Sequence, residues 1–157
     1  MYDYALLFDK SHGFTDYTGW VLQFRPGNGV LEFGLGQGDH WDSILSPNIL
    51  DNNWHFVSGT YDGTNLRLYI DGVLIGTQAA STNATNNRPI EMGRARAGYG
   101  PRYFKGSIDE SAIFDEALSL ETIRSQYQNG INPVPEPSSL LLLSTGLLGL
   151  LRLRRRK

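Results

Sequence analysis

The chain has no cysteine among its 157 residues. A disulfide framework and a thiolate metal site are therefore excluded, and cysteine usage carries no information on compartment. Helical periodicity is almost missing. Gly is abundant instead, at 18 residues, and aromatics make up 11% of the chain. That mix favours short strands and tight turns over a helical bundle. Without crossover helices a parallel sheet cannot be built. The opening "MYDYALLFDK" has no basic region, and its apolar stretch Ala5–Phe8 is too short for a signal-peptide core. The three histidines, His12, His40 and His55, lie far apart and without metal-ligand spacing. No nucleophile elbow, phosphate loop or dinucleotide fingerprint occurs.

Positive charge is scarce in the body of the chain and concentrated at its end. Residues 1–133 hold nine basic and fifteen acidic side chains, a net of −6. From Val134 onward there are five basic residues, Arg152, Arg154, Arg155, Arg156 and Lys157, against one acid, Glu136. An acidic body excludes nucleic acid as the expected partner, because phosphate binding needs a basic face.

What is present is a succession of strand signals. In "NLRLYIDGVLIGTQ", Leu66, Leu68 and Ile70 alternate with Asn65, Arg67 and Tyr69, as in a half-buried strand. Asp71-Gly72 is a type I′ turn pair. A two-residue loop sets Ile70 opposite Val73 and Leu68 opposite Ile75, all four on one face. The spacing also predicts strands over Trp54–Tyr61, Trp20–Arg25 and Val30–Leu35. Two more are predicted in "RPIEMGRA" and "FKGSIDESAIFD", with "ARAGYGPRY" an exposed loop between them. Pro26-Gly27-Asn28-Gly29 joins the Trp20 and Val30 strands. One short helix is expected after the last strand: Ser119 as N-cap, Glu121 in the first turn, Ile123 and Tyr127 as an i, i+4 apolar pair, Gly130 as C-cap. Many short strands with so little helix mean a β-sandwich or barrel.

Taken in order, "WHFVSGTYDGTNLRLYIDGVLIGT", "PIEMGRA" and "FKGSIDESAIFDEALSLETIRSQY" resemble the LamG-like, concanavalin A-like family. The resemblance covers roughly residues 5–128. It implies an all-β fold, an antiparallel jelly-roll β-sandwich with one short helix after the last strand. Such domains open with further strands, which would lie upstream of Met1. The expectation is a fragment, or a start at an internal Met, with apolar sheet surface left uncovered.

The end of the chain, "VPEPSSLLLLSTGLLGLLRLRRRK", reads differently. Ser138–Leu151 is a run of 14 apolar or weakly polar residues. As a helix it reaches about 21 Å, against a hydrocarbon core of about 30 Å. Spanning is marginal, helped by snorkelling of Arg152 and thinning of the bilayer. The membrane-flanking cations Arg152, Arg154, Arg155, Arg156 and Lys157 favour a cytoplasmic carboxyl terminus. The motif Pro135-Glu136-Pro137, an apolar helix and an Arg cluster resemble the PEP-CTERM sorting signal. That resemblance implies export in a Gram-negative bacterium, transient retention in the inner membrane, and cleavage by an exosortase, a transpeptidase-like membrane protease. The logic is that of a hydrophobic address that is later removed. The implied organisation is a jelly roll over 1–130, a linker with Pro-Glu-Pro over 131–137, and a hydrophobic helix with basic tail over 138–157.

Chemistry is sparse. Retaining glycoside hydrolysis needs two carboxyl groups about 5–5.5 Å apart. Asp109 and Glu110 are adjacent and point to opposite faces of a strand, and neither has an acid two or four places on. No enzyme is expected; a jelly-roll glycosidase with its acids upstream is the alternative, and an uncleaved, membrane-retained structural protein is another. The break in alternation at Asp109-Glu110 suggests a bulge whose carboxylates accept main-chain N–H groups. No cofactor is required. Calcium, common among LamG-like relatives, is the alternative role for Asp109, with Asp39, Asp42, Asp62 and Asp71 available. Asp62 and Asp71 fit better as turn formers. Trp20 and Trp54 are expected in the core. Trp41, Tyr99 and Tyr103 are expected in or beside loops, able to contact extracellular polysaccharide or a surface protein.

Overall fold

A computed structural model describes residues 4–12, 16–81, 85–95 and 102–131. The sorting motif Pro135-Glu136-Pro137, the hydrophobic helix, the basic tail and Tyr99 lie outside the described residues. The strands in chain order are β1 (Ala5–Asp9), β2 (Trp20–Phe24), β3 (Val30–Gly36), β4 (Trp41–Asn48), β5 (Val57–Tyr61), β6 (Asn65–Ile70), β7 (Val73–Ala79) and β8 (Glu91–Met92); one helix, α1 (Leu120–Ile131), follows. All strand pairings are antiparallel. One sheet has the order β4-β3-β2-β1-β8 and the other β5-β6-β7. The expected all-β sandwich with a single trailing helix is what forms.

The core lies between the two sheets. Leu7, Leu22, Phe24, Leu31, Phe33, Leu35 and Ile44 of the larger sheet meet Leu66, Leu68 and Ile70 of the smaller one. These are the apolar members of alternating strands, so the pleat turns them to one side. Leu31, Leu66 and Leu68 are fully buried. Gly59 of β5 lets the sheets approach: a Cβ there would sit 2.8 Å from the Phe33 ring. Trp20 is half-buried and packs on Phe8, ring centroids 6.3 Å apart.

Turn chemistry behaves as read. Arg25 N–H donates to Val30 O across the Pro26–Gly29 turn (2.9 Å), where Gly27 and Gly29 both have positive φ. Asp71 and Gly72 take φ of 52° and 73°, and Ile70 pairs with Val73. The register beyond differs from expectation. It shifts between Leu68 and Tyr69, so that Leu68 pairs with Gly76 rather than Ile75. The extra residue is a bulge. It keeps Ile75 on the core while Val73 and Leu74 stand exposed. Gly76 is accommodated because a Cβ there would press on Ile44 at 2.9 Å.

Other expectations are corrected. The strand expected from Trp54 begins only at Val57, because the Asp71 main chain and carboxylate take up Phe56 first. Trp54 is 70% exposed and outside the core. Trp41, expected in or beside a loop, opens the edge strand β4 (Trp41–Asn48), for which no strand was expected, and Pro47 is tolerated there because an edge has N–H groups to spare. The strand in "RPIEMGRA" shortens to Glu91–Met92, and "FKGSIDESAIFD" forms none. With no strand there, Asp109-Glu110 is not a bulge. Asp109 Oδ1 does accept the Glu110 N–H, at 2.8 Å.

The helix forms where its cap is. Ser119 Oγ accepts the Thr122 N–H at 3.1 Å, and Ser119 O accepts the Ile123 N–H at 3.0 Å. Ile123 is fully buried and Tyr127 half-buried, the i, i+4 face that docks on the domain. Gly130 lies within the helix rather than after it. Among the described residues no helix is long and apolar enough to cross a membrane.

Candidate functional site

The most exposed large aromatic side chain among the described residues is Trp54, in the loop between β4 and β5. Leu50 beside it is 61% exposed, and Asp51, Asn52 and Asn53 lie on the same surface. An exposed indole edged by amide and carboxylate groups is suited to stacking on a sugar ring while accepting and donating hydrogen bonds.

The loop is held by a chain of polar contacts. Asn48 Oδ1 accepts the Leu50 N–H at 2.9 Å. Asp51 Oδ1 accepts the Asn53 N–H at 2.8 Å, and its Oδ2 accepts from Asn53 Nδ2 at 2.9 Å. Asn52, between them, takes a left-handed φ of 64°, which suits Asn. His55 is the keystone. Its Nε2 faces Asp51 Oδ1 at 3.0 Å and its Nδ1 faces Asp71 Oδ2 at 2.8 Å. Both ring nitrogens meet acceptors, and only the imidazolium donates from both.

Asp71 serves two partners. Oδ2 holds His55, and Oδ1 accepts the Phe56 N–H at 2.9 Å; its own N–H donates to Phe56 O at 2.8 Å. Helix α1 closes over the same turn. The Tyr127 ring tilts against Phe56 at 6.1 Å, and Arg124 Nε reaches Gly72 O at 3.4 Å. The electrostatics follow. The hydrogen bond to Asp71, with the Asp51 bond and both negative charges, raises the His55 pKa; partial burial opposes this. Hydrogen bonds from the Asn53 side chain and main chain, then from His55, bring Asp51 down to about 2. Asp62 does comparable work one hairpin away. Arg67 at 2.6 Å and the N–H groups of Asn65 and Thr64 hold it at about 2. Asp62 and Asp71 are thus turn formers, as their Asp-Gly context indicated.

The aromatics expected at the surface separate. Tyr103 is 60% exposed and bridges to Leu6 at the side of β1. Trp41 is half-buried on the larger sheet, packed with Leu6, Val21 and Ala95. Its indole N–H is buried and meets no acceptor among the described residues. The missed residue is Trp54. Its one sequence cue was the polar run Asp51-Asn52-Asn53 immediately before it, which marks a loop rather than a strand.

The alternative role of Asp109 is that of a calcium ligand. Asp109 is exposed and turned to its own neighbour's N–H. Among the described residues no three His, Cys, Asp or Glu side chains come together as a metal site. Calcium takes six to eight oxygens.

Comparison with known proteins agrees with the geometry. The concanavalin A-like lectin/glucanases superfamily matches residues 2–124, and the PEP-CTERM protein-sorting motif matches residues 133–157. No curated relative matches the chain. Among solved structures, one of botulinum neurotoxin type C, whose cell entry depends on interaction with two ganglioside molecules, is similar at a TM-score of 0.55 and 20% identity, over 80% of this chain and 31% of that one. An S-layer domain-containing protein from Clostridium thermocellum ATCC 27405 is similar at a TM-score of 0.41 and 21% identity, over 78% of this chain and 62% of that one. This chain therefore spans less than two thirds of either, and the neurotoxin likeness carries the fold alone. Two antiparallel sheets, a buried interface between them and a family match over residues 2–124 together place the chain: it belongs to the concanavalin A-like lectin/glucanases superfamily, and it ends in a PEP-CTERM protein-sorting motif.

Proposed function

We propose that this chain is an exported, non-catalytic binding or structural module that contacts carbohydrate at the cell envelope or in extracellular matrix. The observation that carries the reading is the tandem order of its two matches, a lectin-type sandwich and then a sorting motif. The motif implies export to the envelope of a Gram-negative bacterium and processing by an exosortase-type system. On this reading the tail serves as an address, held briefly in the inner membrane and then cut near Pro135-Glu136-Pro137. The mature form keeps the acidic body and loses the five terminal cations.

Trp54 is the side chain assigned to stack on a sugar ring, with Asp51, Asn52 and Asn53 as polar neighbours. Tyr103 is a second exposed ring. The loop's hydrogen bonds support the assignment, because a contact residue on an ordered loop loses little entropy on binding. No catalytic step and no cofactor are assigned. Asp109 and Glu110 are adjacent, exposed and without a strand to aim them.

The experiment is a pull-down of the exported, processed protein on purified exopolysaccharide, with mass spectrometry of its carboxyl terminus. Retention on polysaccharide and a terminus near Glu136 are expected. Recovery of intact Lys157 at the surface would contradict processing. Loss of retention under every polysaccharide tried, with correct processing, would contradict carbohydrate contact and leave the sorting part standing.

A further inference from the structure

The ring of His55 stands between two carboxylates on separate parts of the molecule. Nδ1 faces Asp71 Oδ2 at 2.8 Å, in the turn between β6 and β7; Nε2 faces Asp51 Oδ1 at 3.0 Å, within the Trp54 loop. A carboxylate oxygen only accepts, so each contact needs an N–H from the ring. The imidazolium has two and the neutral imidazole one. Other charged groups nearby are engaged elsewhere. Arg124 of α1 turns its Nε to Gly72 O, and the Tyr127 ring lies against Phe56. Arg67 of β6 pairs with Asp62, and β5 and β7 carry no charged side chain.

The two carboxylates are held differently. Asp71 also accepts the Phe56 N–H at 2.9 Å, and its own N–H donates to Phe56 O at 2.8 Å. It stays fixed to the chain entering β5 whatever the charge on the ring. The Asp51 carboxylate is otherwise bound only to Asn53, in its own loop. Upstream, the Ile49 N–H is fixed on Gly29 O at 3.1 Å. Among the described residues, no side-chain hydrogen bond other than that to His55 leads out of residues 51–53.

We propose that His55 is a proton-operated latch on the Trp54 loop: the imidazolium clasps Asp51 to Asp71 and presents Trp54, and loss of one proton to solvent frees the Asp51 arm and weakens sugar contact. The proton lost is the one on Nε2. Nδ1–H stays on Asp71, the shorter contact and the fixed partner. Nε2 then turns a lone pair toward Asp51 Oδ1, and a hydrogen bond becomes an approach of two acceptors. Trp54, between Asn53 and His55, loses its fixed orientation. The bonds to Asp71 and then Asp51 raise the His55 pKa against the effect of partial burial. The latch is therefore closed below 6.5 and opens as pH rises through the raised value. The sugar half of the proposal rests on the reading of Trp54 as the carbohydrate contact; the latch itself rests on the geometry of His55.

The test uses the full chain in detergent micelles, across about pH 5 to 9, where histidine changes charge. Imidazole nitrogen shifts give the His55 midpoint and tautomer, and amide relaxation gives the order of residues 51–54. Retention on purified exopolysaccharide is measured on the same samples. Residues 51–54 should loosen with the His55 midpoint, leaving Nδ1–H as the neutral tautomer. Retention should fall about threefold or more over the same step, because only the ordered loop binds. His55→Gln cannot titrate and should remove the step from both readouts. Asp51→Ala should leave the loop loose at every pH, while His55 still titrates above 6.5 through Asp71. Loop order that ignores the charge on His55 overturns the latch, as does a neutral ring protonated on Nε2. Retention that stays constant while the loop loosens overturns its coupling to sugar. Retention absent at every pH, with the loop step present, overturns the carbohydrate reading and not the latch.

Discussion

The Nδ1 nitrogen of His55 lies 2.8 Å from Oδ2 of Asp71, a residue in the turn between β6 and β7. The same ring holds Asp51 on its far side at 3.0 Å. One imidazole thus fastens the Trp54 loop to a hairpin that pairs with β5, and α1 lies against that hairpin through Arg124 and Tyr127.

This linkage sets a pH dependence. The folded pKa of His55 is raised, chiefly by Asp71. Its contribution to stability is fully present below the unfolded value of 6.5 and is lost as pH rises through the higher folded value. Asp51 works the other way. Its stabilisation is present above its unfolded value of 3.8 and fades as pH falls toward about 2. Thermal melts across pH 5–9 should show wild-type stability falling as pH rises above 6.5 and through the raised folded value. His55→Gln should flatten that part of the profile. An unchanged slope in the variant would mean that another group titrates there.

Trp54 and Trp20 should separate binding from folding. Trp54→Ala removes a side chain that is 70% exposed, so stability should stay within about 0.5 kcal/mol of wild type. Polysaccharide retention should fall. Trp20→Ala removes a ring packed on Phe8 and should cost about 2–4 kcal/mol. Denaturant melts and pull-downs on the two variants check both halves. Retention lost only with Trp20→Ala would point to folding rather than contact.

Much of the fold was legible because its signals are local. Asp71-Gly72 carries its own turn geometry, and Leu66, Leu68 and Ile70 carry their own period. Ser119 caps α1 with its own hydroxyl. What was not legible depends on distant partners. The carboxylate that takes the Phe56 N–H is fifteen residues downstream, and nothing in the Trp-His-Phe-Val stretch announces it. The β7 bulge leaves the apolar letters in place and shifts only their pairing. Strand β4 was hidden by Asp42, Ser43 and Pro47, residues that an edge position permits and a central one does not. At the site, the loop residues were readable and their staple was not, because His55 meets Asp71 only after three strands have paired.

The approach of the two sheets should be sensitive at Gly59. Its missing side chain faces the Phe33 ring, which a Cβ would meet at 2.8 Å. Valine is a better strand former than glycine, so propensity alone favours Gly59→Val. Packing opposes it. The ring must move within a core that includes Leu31 and Leu66, both fully buried, and overpacking costs about 1–3 kcal/mol. Gly59→Val should therefore destabilise in urea melts, and pairing it with Phe33→Leu should recover part of the loss.

The helix should owe more to its docking than to its cap. Ile123 has no exposed surface, and truncating a buried Ile to Ala costs about 2–5 kcal/mol. Ser119→Ala removes one capping bond, at 3.1 Å on an exposed residue, worth about 1 kcal/mol. Ile123→Ala should thus lower the urea midpoint by the larger amount. It should also loosen the turn below, since Tyr127 and Arg124 rest on Gly72 from the same helix. The His55 ring resonances then report the coupling: in Ile123→Ala the imidazole titration midpoint should move back toward 6.5, the ordinary value. In Ser119→Ala, with the helix still docked, it should stay raised. A midpoint that moves equally in both would mean that the cap, not the buried Ile, holds α1 against the hairpin.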